Sequence, residues 1–287
     1  MRTFSFGSLR SRLAPLIRPI LEHCPPIRAI AVGMLQRRQT GRMYRCGMDF
    51  ILPCGDFGVT LEAESTGTYE PLTTSTLKSI LSEGMTFVDI GAHVGLFSLP
   101  ALHWVGKRGK VVSFEPHPDN YVMLVENARR NDLEDRLIAV QSAISDVKAT
   151  VNLHTSTFNT GDHRLFHQGG RNAIKVPCTT LDEYFPSGAK VDVIKMDVQG
   201  AEAAAFRGMK RVLEENQDIQ VVWELSPSQL EEADSCAEEL LQWLMDLQFS
   251  FSIIDESAQR VRTATKSDVL KACPHGSFLN ILSGRHA

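Results

Sequence analysis

From residue 85 onward, short apolar runs alternate with stretches whose apolar positions recur every three or four residues. Met85-Thr86-Phe87-Val88-Asp89-Ile90, Lys110-Val111-Val112-Ser113-Phe114-Glu115 and residues 137–141, 191–196 and 219–224 are short and rich in aliphatic and aromatic side chains. Each predicts a strand. Residues 96–104, 118–131, 202–215 and 228–248 lie between or after them with helical spacing. Strand and helix alternating in this way predict a parallel sheet with helices on both faces. Two further strands, 249–254 and 277–282, have no convincing helix between them and predict a terminal hairpin. Upstream, residues 43–52 and 58–61 read as short strands around Pro53, Gly55 and Asp56, and residues 70–82 as a helix.

The first 45 residues follow a different rule. Leu9, Leu13, Leu16, Ile17, Ile20 and Leu21 form an apolar stripe, with Arg10, Arg12 and Arg18 off it and Pro15 and Pro19 kinking it. Nine arginines face one acid, Glu22, a surplus of eight positive charges; with a total of −4, the remaining residues carry −12. An acidic body behind a basic arm is poorly suited to gripping nucleic acid, and no such partner is expected. The arm suits a helical or disordered extension, a segment lying on an anionic membrane surface, or a targeting segment. The chain thus divides into this extension (1–45), strands and a helix packing on the core (46–84), and a main domain (85–287).

With 287 residues, 43% apolar and 22% charged, the chain is long enough to bury a sizeable core. No apolar run reaches the length of about 18 residues that a spanning helix needs. The six cysteines include no C-x-x-C pair and no zinc-finger spacing. They read as mostly buried small hydrophobes in a reducing, cytoplasmic setting. Without an H-E-x-x-H motif either, no metal site is expected.

Three predicted strands end in an acid: Asp89, Glu115 and Asp197. Ligands of open α/β sheets bind beyond the carboxyl ends of the strands, so these carboxylates fall along one crevice. Gly91 and Gly95 tighten the first turn and let a ligand approach the backbone. Their Gly-x-x-x-Gly spacing is not the dinucleotide fingerprint, and no phosphate-binding Gly-Lys-Ser/Thr follows. A leading carboxylate repels a diphosphate and welcomes an ammonium or sulfonium. Glu115 is placed to accept the hydroxyls of a ribose. A ribose ligand with a cationic tail and no diphosphate describes S-adenosyl-L-methionine.

The segments FVDIGAHVGLFSL, VVSFEPHPDN, AISD, TTLDEYF, VDVIKMDVQGAE and FLNIL occur in the order seen in FkbM-type methyltransferases, and the chain resembles that family over residues 67–282. The resemblance implies a class I, Rossmann-like fold: a mostly parallel seven-stranded sheet with an antiparallel last strand and helices on both faces. It implies S-adenosyl-L-methionine as cofactor and O-methylation of a hydroxyl on a small molecule, sugar or natural product. Asp89, Gly91 and Gly95 would cradle the methionine portion, Glu115 would hold the ribose, and Ser142 and Ala143 would border the adenine, with Asp146 nearby. His93 joins this cofactor set in place of the family's usual asparagine, so its hydrogen bonding could respond to pH. Gln199 stands where many members have glutamate.

Methyl transfer from a sulfonium needs alignment, and a hydroxyl acceptor also needs a proton acceptor. Asp197 and Glu224, at strand ends, are the candidate bases. Residues 150–175 exceed a usual connection and read as a lid, from which His163 or His167 could supply a base. The rival readings are a cofactor-binding scaffold without turnover, a nucleic-acid methyltransferase and, more distantly, a nicotinamide dehydrogenase.

Overall fold

A computed structural model describes residues 25–167 and 169–285. The apolar stripe expected at residues 9–21 lies outside the described residues. The strands are β1 (Arg42–Arg45), β2 (Met48–Ile51), β3 (Thr86–Ile90), β4 (Lys110–Phe114), β5 (Leu137–Val140), β6 (Ala143–Ile144) and β7 (Ala149–Thr155). They continue with β8 (Asn172–Thr179), β9 (Val193–Met196), β10 (Gln220–Leu225), β11 (Ser250–Asp255), β12 (Arg260–Ala264) and β13 (Leu279–Gly284). Eight of them form the main sheet in the order β12-β11-β13-β10-β9-β3-β4-β5. The pairs from β10 through β9, β3 and β4 to β5 are parallel, whereas β13 runs antiparallel between β10 and β11. This is the expected class I arrangement with one strand more.

The extra strand is β12, which folds back on β11 at the sheet edge. The expectation of no helix between the last two strands also needs correction, because Lys266–Ala272 is helical. Its signal is a capping box: Thr265 accepts from the Asp268 backbone, and the Asp268 side chain accepts from Thr265 N–H. Two other expected helices are broken. Residues 202–215 split into Glu202–Arg207 and Lys210–Glu215 around Gly208, where an added Cβ would lie 1.9 Å from the Ser145 carbonyl oxygen. Residues 228–248 split into Pro227–Glu232 and Ala237–Asp246, with Asp234 between them at φ 54°.

Along the central strands, alternate residues face opposite layers. Val88, Ile90, Ile194, Met196, Val221 and Trp223 enter one core; Phe87, Val111, Val193 and Val222 enter the other. The second core also holds Phe50 and Leu52 from the β1–β2 hairpin, which turns at Cys46 and Gly47. Asn127 on the helix Pro118–Arg130 and Asn131 at its C-cap satisfy the backbone of β2. They accept from the N–H groups of Ile51 and Asp49 at 2.6 and 2.9 Å and donate to the same residues' carbonyls at 3.0 and 2.9 Å. The strand expected at 58–61 is instead the start of the helix Val59–Thr66. Asp56 causes this, its carboxylate accepting from Thr60 N–H at 2.7 Å.

The long connection at 150–175 is largely a β7–β8 hairpin; with β6 it makes a second sheet, order β6-β8-β7. The described residues of its tip, 156–167 and 169–171, lie beyond these strands and are placed to serve as a cover. Cys178 and Cys273 are buried as expected, but Cys46, Cys54 and Cys236 are exposed. No helix among the described residues is long and apolar enough to cross a membrane.

The turn after β3 depends on two glycines with different obstacles. Gly91, at φ 78°, would place a Cβ 2.0 Å from the Asp197 carbonyl oxygen. Gly95, at φ 91°, would meet the ends of Leu99 and Leu124 at 2.6 and 2.7 Å. Backbone cannot give way as side-chain tips can. Gly91→Ala should therefore lower the unfolding free energy by about 3 kcal/mol or more, and Gly95→Ala by about 1–3 kcal/mol. Urea denaturation of both variants checks the order; equal losses would contradict the packing argument.

Candidate active site

The carboxyl ends of β3, β4 and β9 open into a cavity. Of the residues expected at the site, Gly91, His93, Glu115, Ser142, Ala143 and Asp197 line it. Asp89, Gly95 and Glu224 do not. Gly95 serves helix packing, as its Leu99 and Leu124 neighbours show. Asp146 pairs with Arg207 at 2.9 Å, also off the cavity wall.

Glu115 sits just past β4 and is almost fully buried. Its two oxygens accept from the backbone N–H groups of His93, at 2.8 Å, and His117, at 2.9 Å. Burial pushes this carboxyl up to about 7, against the pull of those two donors. His93 holds a left-handed backbone at φ 52°, and its Nε2 lies 2.9 Å from the Thr160 hydroxyl. Burial, with the Lys195 ammonium adding to it, pushes this imidazole down to about 3. The ring is neutral at physiological pH, so the pH-responsive hydrogen bond expected there does not arise.

Asp89 lies one layer below the cavity, fully buried at the position paired with Lys195 across β3 and β9. Its Oδ2 accepts from Ser98 Oγ at 2.6 Å, and Ser113 donates to that same hydroxyl at 2.8 Å. Burial raises its pKa, partly offset by the Lys195 ammonium and the Ser98 hydroxyl. Lys195 is a wall residue that the sequence reading passed over. Its Nζ lies 3.8 Å from Asp197 Oδ2 and 5.0 Å from the centroid of the Phe97 ring. Burial disfavours this ammonium, yet Asp197, Asp89, Glu70 and Glu224 together outweigh that and raise its pKa. A signal was available: Lys195 is the one charged residue inside the buried strand β9.

Asp197 is partly open to the cavity, its side chain 21% exposed. Gln199, at φ 51°, donates through Nε2 to Asp197 Oδ1 at 2.6 Å and to Glu224 Oε1 at 3.1 Å. Its side-chain Oε1 accepts from Gln229 Nε2 at 3.1 Å. An amide can do this between two carboxylates; a glutamate at 199 would add a third negative group. Glu224 stands behind Gln199, and burial pushes its carboxyl well above the ordinary range, with the Asp197 and Glu70 charges adding to this. Tyr69 and Phe97, 6.0 Å apart, form the adjoining apolar wall.

The tip of the β7–β8 hairpin roofs the cavity with Thr160, Gly161 and His163. It is tied down by Asp56 accepting from Thr160 N–H at 2.7 Å, Asn120 donating to the Thr160 carbonyl at 3.1 Å, and Phe57 N–H donating to the Phe158 carbonyl at 2.8 Å. His163 reaches the wall as a lid residue; His167 does not, packing edge-on against His154 at 5.2 Å.

These pKa shifts set opposite slopes in stability. Folded Glu115 keeps its proton up to about 7, whereas a carboxyl in the unfolded chain loses it near 4.5. Between those values the folded state binds more protons, so this group's contribution to stability falls as pH rises, by about 3 kcal/mol in all. Glu70 and Glu202, also raised to about 7, act in the same direction. His93 and His163, lowered to about 3, act oppositely below the ordinary histidine value of 6.5. Subtracting the Glu115→Gln curve from the wild-type curve isolates the first effect. Urea unfolding of the ligand-free protein from pH 4.5 to 8 should show wild type losing ground relative to the variant up to about pH 7; parallel curves would contradict the buried, protonated carboxyl.

The chain is 27% identical to the methyltransferase sdnD of Sordaria araneosa, over 42% of this chain and 59% of that one. It is 26% identical to the hexuronic acid methyltransferase AglP of Haloferax volcanii, over 44% of this chain and 50% of the relative. The chain thus spans about half the length of the curated relatives it matches. Among solved structures, a SAM-dependent O-methyltransferase from Thermotoga maritima superposes with a TM-score of 0.43 at 14% identity, over 86% of this chain and 78% of that one. Residues 89–251 match the Methyltransferase FkbM domain, more than half of the chain and all of its central strands from the end of β3 to the start of β11, and the chain belongs to the FkbM methyltransferase family.

Proposed function

We propose that this chain transfers a methyl group from S-adenosyl-L-methionine to a hydroxyl of a small molecule, sugar or natural product. The observation that carries the reading is one cavity with Glu115 at one strand end and Asp197 at another, joined by the tight Gly91 turn. Glu115, with both oxygens already fixed by backbone donors, suits the ribose hydroxyls. Ser142 and Ala143 suit the adenine edge, and the Gly91 backbone suits the methionine portion. When bound, the cofactor supplies an activated methyl group.

The chain's own residues then have to orient the acceptor and take its proton. Asp197 is the proton acceptor in this reading, because it alone of the two candidate bases faces the cavity. The Gln199 amide fixes its orientation. Glu224 stands off the cavity wall, its carboxyl pushed above the ordinary range by burial, and is not the base in this reading. Tyr69 and Phe97 offer an apolar face to a flat or ring-shaped acceptor. AglP, by its name, acts on a hexuronic acid. That relative favours a sugar-like acceptor, but the carboxylates around Lys195 favour a neutral or cationic one over an acid.

Titration calorimetry and turnover assays test the reading together. Glu115→Ala should weaken cofactor binding by about 1–3 kcal/mol. Asp197→Asn should lower the rate at saturating cofactor by about 10²–10⁴-fold while leaving cofactor affinity within a few-fold. Tight NADH binding without binding of S-adenosylmethionine would overturn the cofactor. Cofactor binding with no methylation across glycosides, polyketides and lipids would favour a scaffold.

A further inference from the structure

We infer that His163, carried on the β7–β8 roof, is a cofactor-binding residue that donates a hydrogen bond from Nε2 to the adenosine part of the cofactor. The inference rests on the cofactor reading above and goes beyond the residues that the sequence motifs supply.

His163 lines the cavity near Glu115 rather than projecting into solvent. Its ring stacks on His117, which follows Glu115 by two residues, with centroids 4.3 Å apart and planes inclined by 29°. The Nδ1 atom accepts from Ser156 N–H at 3.1 Å, so the neutral ring carries its proton on Nε2. That Nε2–H is buried and has no hydrogen-bond partner. Nearly all buried polar atoms in folded proteins are paired, and an unpaired one at a cavity wall marks a place where a ligand completes the bonding.

The roof's anchoring makes this a built feature. Asp56 is itself buried and grips Thr160 from the N-terminal segment, while Asn120 and His93 hold the same residue from the core. Ser156 N–H then orients the His163 ring. A neutral donor suits the lone pairs of a purine ring nitrogen or a ribose oxygen. It adds no positive charge opposite the sulfonium.

The test compares wild type, His163→Phe and His163→Gln by calorimetry with S-adenosylhomocysteine and with 5′-methylthioadenosine, which keeps the adenosine and lacks the amino acid. Phenylalanine keeps the stack and removes the donor; glutamine returns an N–H donor at similar reach. The expected result is a loss of about tenfold or more for His163→Phe, equal for both ligands, and recovery to within about threefold for His163→Gln. Far-ultraviolet circular dichroism and thermal unfolding of each ligand-free variant show that it is folded. Unchanged affinity in folded His163→Phe, or a loss confined to S-adenosylhomocysteine, overturns the inference while leaving the cofactor reading intact. A wild-type protein that binds neither ligand overturns that reading itself.

Discussion

The Lys195 ammonium lies inside the protein, 3.8 Å from Asp197 and within reach of the fields of Asp89, Glu70 and Glu224. Burying carboxylates at this density is costly unless a cation is buried with them. Lys195 can occupy that point because β9 is flanked by β3 and β10 in parallel register, which puts Asp89 directly beside it. Its ammonium lies 5.0 Å from the centroid of the Phe97 ring, so the apolar wall and the charged floor meet at one residue. Removing the charge would leave the fully buried Asp89 held by the hydroxyl and backbone of Ser98 with no cation beside it. The site's acidic character follows from this balance of several carboxylates against one ammonium.

Backbone strain gathers at the same place. His93 and Gln199, in the loops after β3 and β9, both hold left-handed conformations without being glycine. Such residues persist where their surroundings over-determine them. Here His93 is held by its N–H to Glu115 and its ring to Thr160. Gln199 is held by Asp197, Glu224 and Gln229. Each strained residue thereby fixes a carboxylate that faces the cavity: His93 fixes Glu115 and Gln199 fixes Asp197. Glutamine at position 199 is coherent with this. Its amide donates to two carboxylates at once, a role closed to a carboxylate at that position.

The second sheet adds what the Rossmann-like core lacks. A three-stranded sheet beside the main one projects a tip back over the strand ends, and the segment around Asp56 locks it there. The segment after the N-terminal hairpin, which lines the cavity with Val59 and Tyr69, and the roof are therefore parts of the same cavity, although about a hundred residues separate Asp56 from Thr160 in the chain. The acceptor side, walled by Tyr69, Phe97 and Asp197, draws on that N-terminal segment as well.

The alternation of apolar strands with amphipathic helices was enough to place the sheet, and three strand-end acids with a glycine turn were enough to place the crevice. Those features are local: side-chain period and turn chemistry are written into neighbouring residues. Glu115 and Asp197 were legible for that reason. The eighth strand and the two broken helices were not, because β12 exists by pairing with β11 and Gly208 is needed only where the Ser145 carbonyl presses against it. Asp89 and Glu224 read as site acids, yet strand register puts one beneath the cavity floor and the other behind Gln199. Lys195, Thr160 and His163 acquire their roles from contacts across long sequence separations. Sequence alone determines which residues are chemically able to serve, since that depends on type and local spacing; the tertiary structure decides which of them meet, because meeting depends on register, burial and the cost of leaving a buried polar group alone.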